Sequence, residues 1–511
     1  MSGRASRPFL DCTGGLLEGA PGKIVPTPFL PAARNIEILT DGTLQIPRRA
    51  TVENWTTDAL AGPIVGLWRF ERQDGSVAHI AIAGTTVYRI AATGRPWAIG
   101  AVTEIDEGAW TAAVYMNRLF MFGPDNEPLV YGGGAAGTDL DLISDLDGID
   151  LPLSWEPGNW PTGVTLIGAD KTERLAAWGC SQRPSDVHLC GNRDFLDWDW
   201  TETSSTAFRL RVLEGDGEPV IGVSDFQQLL LCHKQTKTVV YADVDPVAGT
   251  ASGMRVIPFG LVGPLAIKRV ENDVHWFSPQ GPVPLSAWDA YGDVFVNVAT
   301  DRIRDFLTEL DANRLHQIVA IHDRQNERIR YLVPLQNEPH NSGVIDYHLL
   351  RRHADPQGVT LGAFLVGDLL EGCYASSLNT AGQWIVLLGD YEGNVRHMDF
   401  GVLDSYGDFW ESYFELPHMD LGVRGQVLLA DFLMAEGGEN LTASIRFDDQ
   451  NWRPLPGTLA PSFGHQRTPA ISRKVPTGLG GRLGLRVDYA GGGIVSRFQR
   501  VQLDLRGVDT P

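Results

Sequence analysis

The chain has 511 residues, and its 63 acidic side chains outnumber its 42 lysines and arginines, which gives a formal net charge of −21. This excess of acid argues against ordinary binding of nucleic acid through phosphate neutralisation. The length exceeds that of one ordinary hydrophobic core and predicts a large repeat-built domain with a smaller one. The 57 glycines and 31 prolines favour the many tight turns of an all-β protein.

Two features of the sequence bear on its location. No apolar run approaches the roughly 20 residues of a membrane helix, so we expect no membrane insertion. The first seven residues lack the apolar core of a signal peptide, so we expect a protein that is made and assembled in the cytoplasm.

Residues 1–55 predict an extended arm that packs across other elements. The segment is rich in glycine and proline and has few long apolar runs. At its end, residues 35–49 form two short strand-like runs around Asp41-Gly42, which is a strong hairpin signal. We therefore expect an arm that finishes in a first hairpin.

Residues 56–420 repeat a pattern of strand, turn and strand that ends in Val-Tyr. The pattern recurs at residues 80–88, 118–131 and 229–241. Such repetition of short antiparallel sheets is typical of a β-propeller, and the spacing predicts about six blades, give or take one.

One segment interrupts the strand pattern. Between Thr300 and Leu315, apolar residues recur at helical spacing at Ile303, Phe306, Leu307 and Leu310. We expect this helix to pack on its own domain, although it could also bind a partner.

Residues 421–511 have longer strands with a more regular alternation of apolar and polar residues. This period of two predicts a small antiparallel β-sandwich. The alternative is that these strands complete the last blades of the propeller.

Motifs of catalysis and cofactor binding are missing from the sequence. There is no Walker loop, no H-E-x-x-H and no G-x-S-x-G. The glycines at 478–484 miss the dinucleotide-loop spacing, so we interpret them as a β-turn. The five cysteines, at positions 12, 180, 190, 232 and 373, match no redox or zinc motif and are expected to be free thiols.

A pair of glycosidase carboxylates could still be present among six acidic residues, which are Asp194, Asp197, Asp199, Glu202, Asp404 and Asp408. Residues 197–200, Asp-Trp-Asp-Trp, are the strongest candidate because carboxylates beside tryptophan could bind a sugar. The alternative is a blade-edge strand with structural tryptophans. Four histidines, His188, His233, His275 and His397, show no ligand spacing. We therefore predict no catalytic, cofactor-binding or metal-binding residue.

The order of several short motifs resembles the β-propeller tail proteins of tailed bacteriophages, the nozzle, packaged-DNA-stabilisation or tail hub family. Near the N-terminus the motifs are Gly14-Gly15-Leu16, Asn35-Ile-Glu and Gly42-Thr-Leu with Arg48-Arg49. Further along they are the segments 173–179, 185–188, 198–200, 259–263, 274–281, 321–324, 389–394 and 482–487. No single motif is specific, and the resemblance lies in their order over nearly the whole chain.

This resemblance implies a structural virion protein of the phage tail, without catalysis and without a cofactor. It implies a homo-oligomeric ring, a hexamer in the nozzle type, below the portal and adaptor. Such a ring extends the DNA channel, retains the packaged genome and carries tail fibre or needle proteins. Genomic DNA would pass through without sequence-specific binding. The chain is more compact than many nozzle proteins, so its layer in the tail stays open.

Physical reasoning adds two expectations about such a ring. An acidic lumen would repel phosphates and let DNA slide. Exposed aromatic side chains would form the contacts between subunits, with Trp110, Trp155, Trp160, Trp198 and Trp410 as candidates. The competing function is a carbohydrate-active or carbohydrate-binding propeller.

Overall fold

The structure is a computed structural model of the full chain. It describes residues 4–8, 15–17, 29–30, 32–38, 44–46, 53–91, 93–103, 110–133, 140–168, 173–202, 204–227, 229–245, 250–270, 273–286, 302–354, 360–368, 373–378, 384–397, 412–420, 425–436, 441–447, 451, 453–454, 482–489 and 496–507.

The described part of the N-terminal arm contains seven short strands. They are β1 (Arg4–Pro8), β2 (Gly15–Leu16), β3 (Phe29–Leu30), β4 (Ala32–Arg34), β5 (Glu37–Ile38), β6 (Leu44–Ile46) and β7 (Glu53–Asn54). The hairpin predicted from Asp41-Gly42 is present, since β5 and β6 pair antiparallel with Ile38 opposite Leu44.

The next three sheets are four-stranded meanders in which each strand pairs with its neighbour in sequence. Blade 1 consists of β8 (Ile64–Glu71), β9 (Val77–Ala83), β10 (Thr86–Ile90) and β11 (Pro96–Ala101). Blade 2 consists of β12 (Thr111–Tyr115), β13 (Arg118–Phe122), β14 (Leu129–Tyr131) and β15 (Leu140–Leu142). Blade 3 consists of β16 (Gly163–Ile167), β17 (Arg174–Trp178), β18 (Asp186–Leu189) and β19 (Phe208–Arg211).

Four further sheets continue the series. Blade 4 consists of β20 (Val220–Phe226), β21 (Leu229–Lys234), β22 (Thr238–Tyr241) and β25 (Arg255–Ile257), with the hairpin of β23 (Asp243–Asp245) and β24 (Thr250–Ser252) inserted. Blade 5 consists of β26 (Ile267–Val270), β27 (Asp273–Ser278) and β28 (Gly281–Pro284). Blade 6 consists of β29 (Val319–Asp323), β30 (Arg328–Pro334), β31 (Asn341–Ala354) and β32 (Thr360–Asp368). Blade 7 consists of β33 (Cys373–Leu378), β34 (Trp384–Gly389) and β35 (Val395–His397).

The middle strands of the blades explain the continuous apolar runs of the sequence. Residues Ala78–Ala83 of β9 are all buried, and Leu119–Phe122 of β13 are buried as well. A strand that is covered on both faces by neighbouring sheets is apolar throughout and does not alternate. The turn between β8 and β9 shows the local chemistry: Asp74 accepts a hydrogen bond from the Ser76 amide, and Gly75 adopts a φ of +79°.

The blades close into a ring, so the fold is an all-β propeller. Contacts between the first strands of the blades run from β8 through β12, β16, β20, β26, β29 and β33 and return to β8. The arm strand β7 supplies the fourth strand of blade 7, with Asn54 opposite Arg396. Counted over the described residues, the propeller has seven blades, one more than the central estimate and within the predicted range.

Two sheets lie beyond the propeller, and both contain arm strands. They use β36 (Ser412–Asp420), β37 (Gly425–Glu436), β38 (Leu441–Phe447), β39 (Arg453–Pro454), β40 (Arg482–Tyr489) and β41 (Ser496–Gly507). One sheet has the order β1-β41-β6-β5, with β37 also paired to β41, and the other has the order β39-β38-β40-β36-β4. We call them the C-terminal sheets.

The strand Ser412–Asp420 lies within the range that the sequence assigned to the propeller. In the structure it pairs with β40 and β4, so it belongs to a C-terminal sheet. The last propeller strand of the described chain ends at His397. The boundary predicted at residue 420 therefore falls too late, because strand length alone does not reveal the pairing partner.

Buried clusters fill the spaces between blades and also join the propeller to a C-terminal sheet. Five clusters lie between blades 1 and 2, 2 and 3, 3 and 4, 6 and 7, and 7 and 1. A larger cluster combines Ile36 of the arm, Trp276 of blade 5, Tyr331 of blade 6 and Val487 of β40. The propeller and this C-terminal sheet thus share one hydrophobic core.

The segment that interrupts the strand pattern contains a single helical turn, α1 (Arg304–Leu307). Ile303, Phe306 and Leu310 are buried in the shared core, and Leu307 packs against it. The apolar stripe packs on its own domain, as expected. Two short 3-10 turns occur at Ile143–Asp145 and Leu315–Gln317. Within the described chain, no helix has the length and apolar character needed to cross a membrane.

Candidate functional site

Four of the six predicted carboxylates lie in the long connection between β18 and β19 of blade 3. They are Asp194, Asp197, Asp199 and Glu202. Asp404 and Asp408 lie outside the described residues.

The carboxylates of this connection hold its backbone. Asp197 accepts hydrogen bonds from the Ser205 hydroxyl at 2.6 Å and the Thr206 amide at 3.0 Å. Asp199 accepts from the amide and hydroxyl of Thr201, at 2.9 and 2.7 Å. Such local bonds are the usual work of aspartate in turns. The arrangement favours the structural interpretation of these acids over a sugar-cleaving pair.

Asp150 joins Asp199 and Glu202 in a group of three carboxylates. One oxygen of each lies within 4.8 Å of the others. A backbone bridge between Asp150 and Asp197 brings these distant segments together. Asp150 was not predicted as a candidate, because nothing in its sequence neighbourhood indicates this bridge. Carboxylate oxygens are ligands that Ca²⁺ or Mg²⁺ can use, and Asp199 also holds its own turn.

The tryptophans that we expected at subunit contacts are mostly core residues. Trp110, Trp155 and Trp198 are buried, and Trp160 is half-buried against the cluster between blades 2 and 3. Trp410 lies outside the described residues. The prediction is therefore wrong for the three buried tryptophans, because large aromatic side chains fill the spaces between blades.

Three of the histidines that we considered are buried, and two of them have displaced pKa values. Burial lowers the pKa of His233 to about 3, and burial together with the charge of Arg183 lowers that of His188 to about 3. His188 lies between the rings of Trp155 and Trp200. His275 is also buried, and His397 is partly exposed. The histidines of the described chain are not brought together as metal ligands.

Three cysteines have side chains that the structure describes, and they are buried free thiols, as predicted. Burial raises the pKa of Cys180, Cys190 and Cys232 to about 12. A thiol with such a pKa is protonated at neutral pH and is a poor nucleophile. The side chains of Cys12 and Cys373 lie outside what the structure describes.

The central channel of the propeller contains a cavity of about 470 Å³, a size typical of ligand sites. Residues of the first strands of blades 1 to 6 line it, together with Trp384 from blade 7. Its polar side includes a cluster that we call the channel mouth, formed by Arg69, Lys268, Arg269, His322, Arg324 and Trp384.

Two of the cations of the channel mouth lie over one aromatic ring. The guanidinium of Arg324 lies 4.5 Å from the centre of the Trp384 ring, and that of Arg69 lies 5.6 Å from it. Arg69 also pairs with Glu71 at 2.6 Å, and Arg269 pairs with Asp225 at 2.9 Å. Cation–π contacts of this kind hold both guanidiniums in place.

The pKa of His322 is lowered by its burial and by these charges. Burial is the larger cause, and the positive charges of Arg324 and Lys268 add to it, so the pKa of His322 falls to about 4. Its imidazole is therefore neutral at neutral pH and presents one donor and one acceptor nitrogen.

The channel mouth differs from the acidic lumen that we expected for an assembled ring. No carboxylate is among the residues that line the propeller's cavity in the described chain. The sequence analysis did not find this cluster, because its members are spread over more than 300 residues. Its cations lie in or directly after the first strands of blades 1, 5 and 6.

Comparisons with known proteins identify no family. No protein-family model and no curated protein matches the sequence. Among solved structures, BamB from Moraxella catarrhalis is similar at 10% identity with a TM-score of 0.35, covering 72% of this chain and 94% of that one. The β-propeller domain of Cps50 (Swd1) from Myceliophteria thermophila is similar at 11% identity with a TM-score of 0.38, covering 68% and 100%. Streptogramin B lyase is similar at 9% identity with a TM-score of 0.27, covering 68% and 96%.

Proposed function

We propose that the chain is a structural protein that assembles with copies of itself into a ring, as in the nozzle or hub of a bacteriophage tail. In this role the ring lies below the portal and adaptor, extends the DNA channel, helps to retain the genome and carries other tail parts. The protein then acts without catalysis and resides in the virion. The ordered resemblance of short motifs to phage tail proteins motivates this proposal.

The observation that carries the proposal is the way the arm joins the two halves of the molecule. Strands β2 and β3 extend blade 6, β7 completes blade 7, and β1, β4, β5 and β6 enter the C-terminal sheets. One segment of about 50 residues thereby links the propeller to both C-terminal sheets. Such pairing holds the propeller and the C-terminal sheets together, which suits the subunit of a stiff ring.

An ion-pair cluster strengthens this junction. Arg34 of β4 pairs with Asp368 of β32 at 2.6 Å and with Glu309 at 2.9 Å. Asn35 donates to Asp368 at 2.6 Å and accepts from its amide at 2.7 Å. The strand of a C-terminal sheet and the outer strand of blade 6 are therefore held side by side.

Exposed apolar side chains on the outer rim of the propeller supply candidate contacts between subunits. Trp97, Leu142 and Val256 are each 40% exposed or more, and they lie on β11, β15 and β25. These are the outermost strands of blades 1, 2 and 4. An edge strand with apolar side chains readily joins another surface. We therefore propose that these rim side chains, and not the buried tryptophans, form the contacts between subunits.

Electron microscopy of the purified full-length chain tests the proposal. We expect ring-shaped particles with a central opening in negative stain, and we expect the chain to be present in purified phage particles. A protein that stays monomeric at all concentrations and is absent from particles would overturn it. So would hydrolysis of a glycan that is lost in Asp197→Asn or Asp199→Asn.

Two rim variants and one control locate the contacts. Leu142→Glu and Val256→Glu place a charge on the rim, so we expect them to weaken assembly while the unfolding midpoint is retained. Leu153→Glu places the same charge on a leucine that is 97% exposed, in the connection between blades 2 and 3. Weakening by Leu153→Glu alone would move the contact from the rim to that loop.

A further inference from the structure

The channel mouth concentrates positive charge in a strongly acidic protein. Arg69, Lys268 and Arg269 lie near the ends of β8 and β26, and Arg324 directly follows β29. These are the first strands of blades 1, 5 and 6, which surround the central channel. Four cations thus come from three separate blades to line one cavity of a chain with net charge −21.

Carboxylates neutralise only part of this charge. Glu71 pairs with Arg69 and Asp225 pairs with Arg269, as given above. Arg324 is exposed and has no carboxylate partner within the described chain, where its contact is the face of Trp384. Arg324 therefore adds to the channel mouth a positive charge that no described carboxylate pairs with, beside an open cavity.

A buried polar side chain also lines the cavity. His322 is only 7% exposed and lines the cavity. Its neutral imidazole can exchange a hydrogen bond with a ligand atom in the cavity.

We propose that the channel mouth binds a compact oxyanion with at least two negative charges, of the phosphate or polycarboxylate class. Guanidinium and ammonium groups on different sides of a pocket match several anionic oxygens at once. The cavity of about 470 Å³ admits a small molecule. The net charge of −21 repels a large polyanion, which favours a small ligand over a nucleic acid. This inference is independent of the proposed assembly.

Calorimetric titration of the full-length chain with pyrophosphate and with citrate at low salt tests the proposal. We expect at least one of the two to bind with a stoichiometry of one per chain. Tighter binding of pyrophosphate assigns the site to phosphates, and tighter binding of citrate assigns it to polycarboxylates. Millimolar concentrations of both that produce no binding would overturn the proposal.

Charge-removing variants show whether the channel mouth is the site. Arg324→Gln and Lys268→Gln should each weaken binding at least tenfold, because each removes one cation from the cavity. Arg211→Gln is the matched control, since Arg211 is exposed on the outer strand of blade 3 and pairs with Glu214. Thermal unfolding checks that each variant folds. Affinities in the two channel variants that equal the wild-type value, or an equal loss in the control, would contradict the assignment.

An NMR titration of His322 gives a second readout. A bound anion offsets the charges of Arg324 and Lys268, so the pKa of His322 should rise when the anion is present. A His322 signal that titrates identically with and without a bound anion would place the ligand elsewhere.

Discussion

The propeller and the C-terminal sheets are built from the same kind of strand but are connected in opposite ways. In blades 1 to 3 every strand pairs with its neighbour in sequence. In the C-terminal sheets β1 pairs with β41, so Arg4 lies opposite Arg506. The propeller is therefore mostly a product of local contacts, whereas the C-terminal sheets depend on contacts across almost the whole chain.

This difference locates where the fold is most vulnerable. Local hairpins form with little loss of loop entropy, but joining distant segments costs more and has to be offset by strong contacts. Such contacts lie where the arm meets blade 6. We expect substitutions there to destabilise the protein more than changes at the surface of single blades.

The largest expected effect comes from Arg328, which is fully buried and joins the arm to blade 6. It donates to Asp323 at 2.8 Å and to Glu37 of β5 at 3.0 Å. Burial alone would raise the pKa of Asp323, but the charges of Arg328 and Arg330 outweigh it and hold that pKa below its usual value. Arg328→Ala leaves buried carboxylates without their cation, so we expect a loss of about 4 kcal/mol in the free energy of unfolding.

Urea unfolding measures this loss, with Arg211→Ala as the surface control. The control should change the free energy by no more than about 0.5 kcal/mol, because exposed ion pairs contribute little. A loss below about 1 kcal/mol for Arg328→Ala would show that the arm is not held by this network.

Acid should weaken the propeller through its buried histidines. Burial is the first cause in each case, and it lowers the pKa of His188 and His233 to about 3 and, with the charge of Arg69, that of His79 to about 4. The unfolded chain binds these protons near pH 6.5. The stability is therefore fully present above pH 6.5 and is lost as the pH falls toward the folded pKa of each histidine, by about 2 kcal/mol per imidazole at pH 5.

A C-terminal sheet should respond to acid in the opposite direction at Glu415. Burial raises the pKa of this carboxyl despite the charges of Arg446 and Arg486. Its contribution is present below the unfolded pKa and is lost as the pH rises through the folded value. Urea unfolding at pH 7 and pH 5 measures the net change, and His233→Gln should flatten the dependence. Equal stability at the two pH values would contradict the histidine account.

A smaller loss of stability is expected at Gly393, in the turn between β34 and β35, where blade 7 meets the segment before blade 1. Gly393 has a φ of +88°, and a Cβ atom there would meet the carbonyl of Leu60. We expect Gly393→Ala to cost about 2 kcal/mol through backbone strain and this clash. Gly75→Ala is the control, since Gly75 has a φ of +79° with open space around it, and it should cost about 1 kcal/mol. Equal losses in urea unfolding would show that Leu60 moves aside.

The smallest change in the free energy of unfolding is expected at the partly exposed ion pair between Arg34 and Asp368. Its side chains are 25% and 26% exposed, so solvent screens the interaction. Asp368→Asn should cost about 1 kcal/mol, since it removes a charge-assisted bond. Glu309→Gln tests the more exposed partner of Arg34 and should cost less. The reverse order would show that Glu309, not Asp368, holds this junction.

The same comparison explains what the sequence could and could not predict. Blades were predictable because their strands pair with sequence neighbours, and residues 80–88 already contain one hairpin of blade 1. The strands that pair with Ser412–Asp420 were not predictable, because they lie far away in the sequence, in β4 of the arm and in β40. For residues 197–200 we weighed a blade-edge strand as the alternative to a sugar site, and Asp197 lies instead in the connection between β18 and β19. Asp150 reaches this connection through a backbone bridge, and the channel mouth is assembled only by the closed ring.

Native mass spectrometry of the full-length chain tests the assembly claim most directly. The account predicts a closed oligomer whose mass is a whole multiple of 55.9 kDa, with six copies expected from the resemblance to nozzle proteins. A single species of 55.9 kDa at every concentration would contradict it.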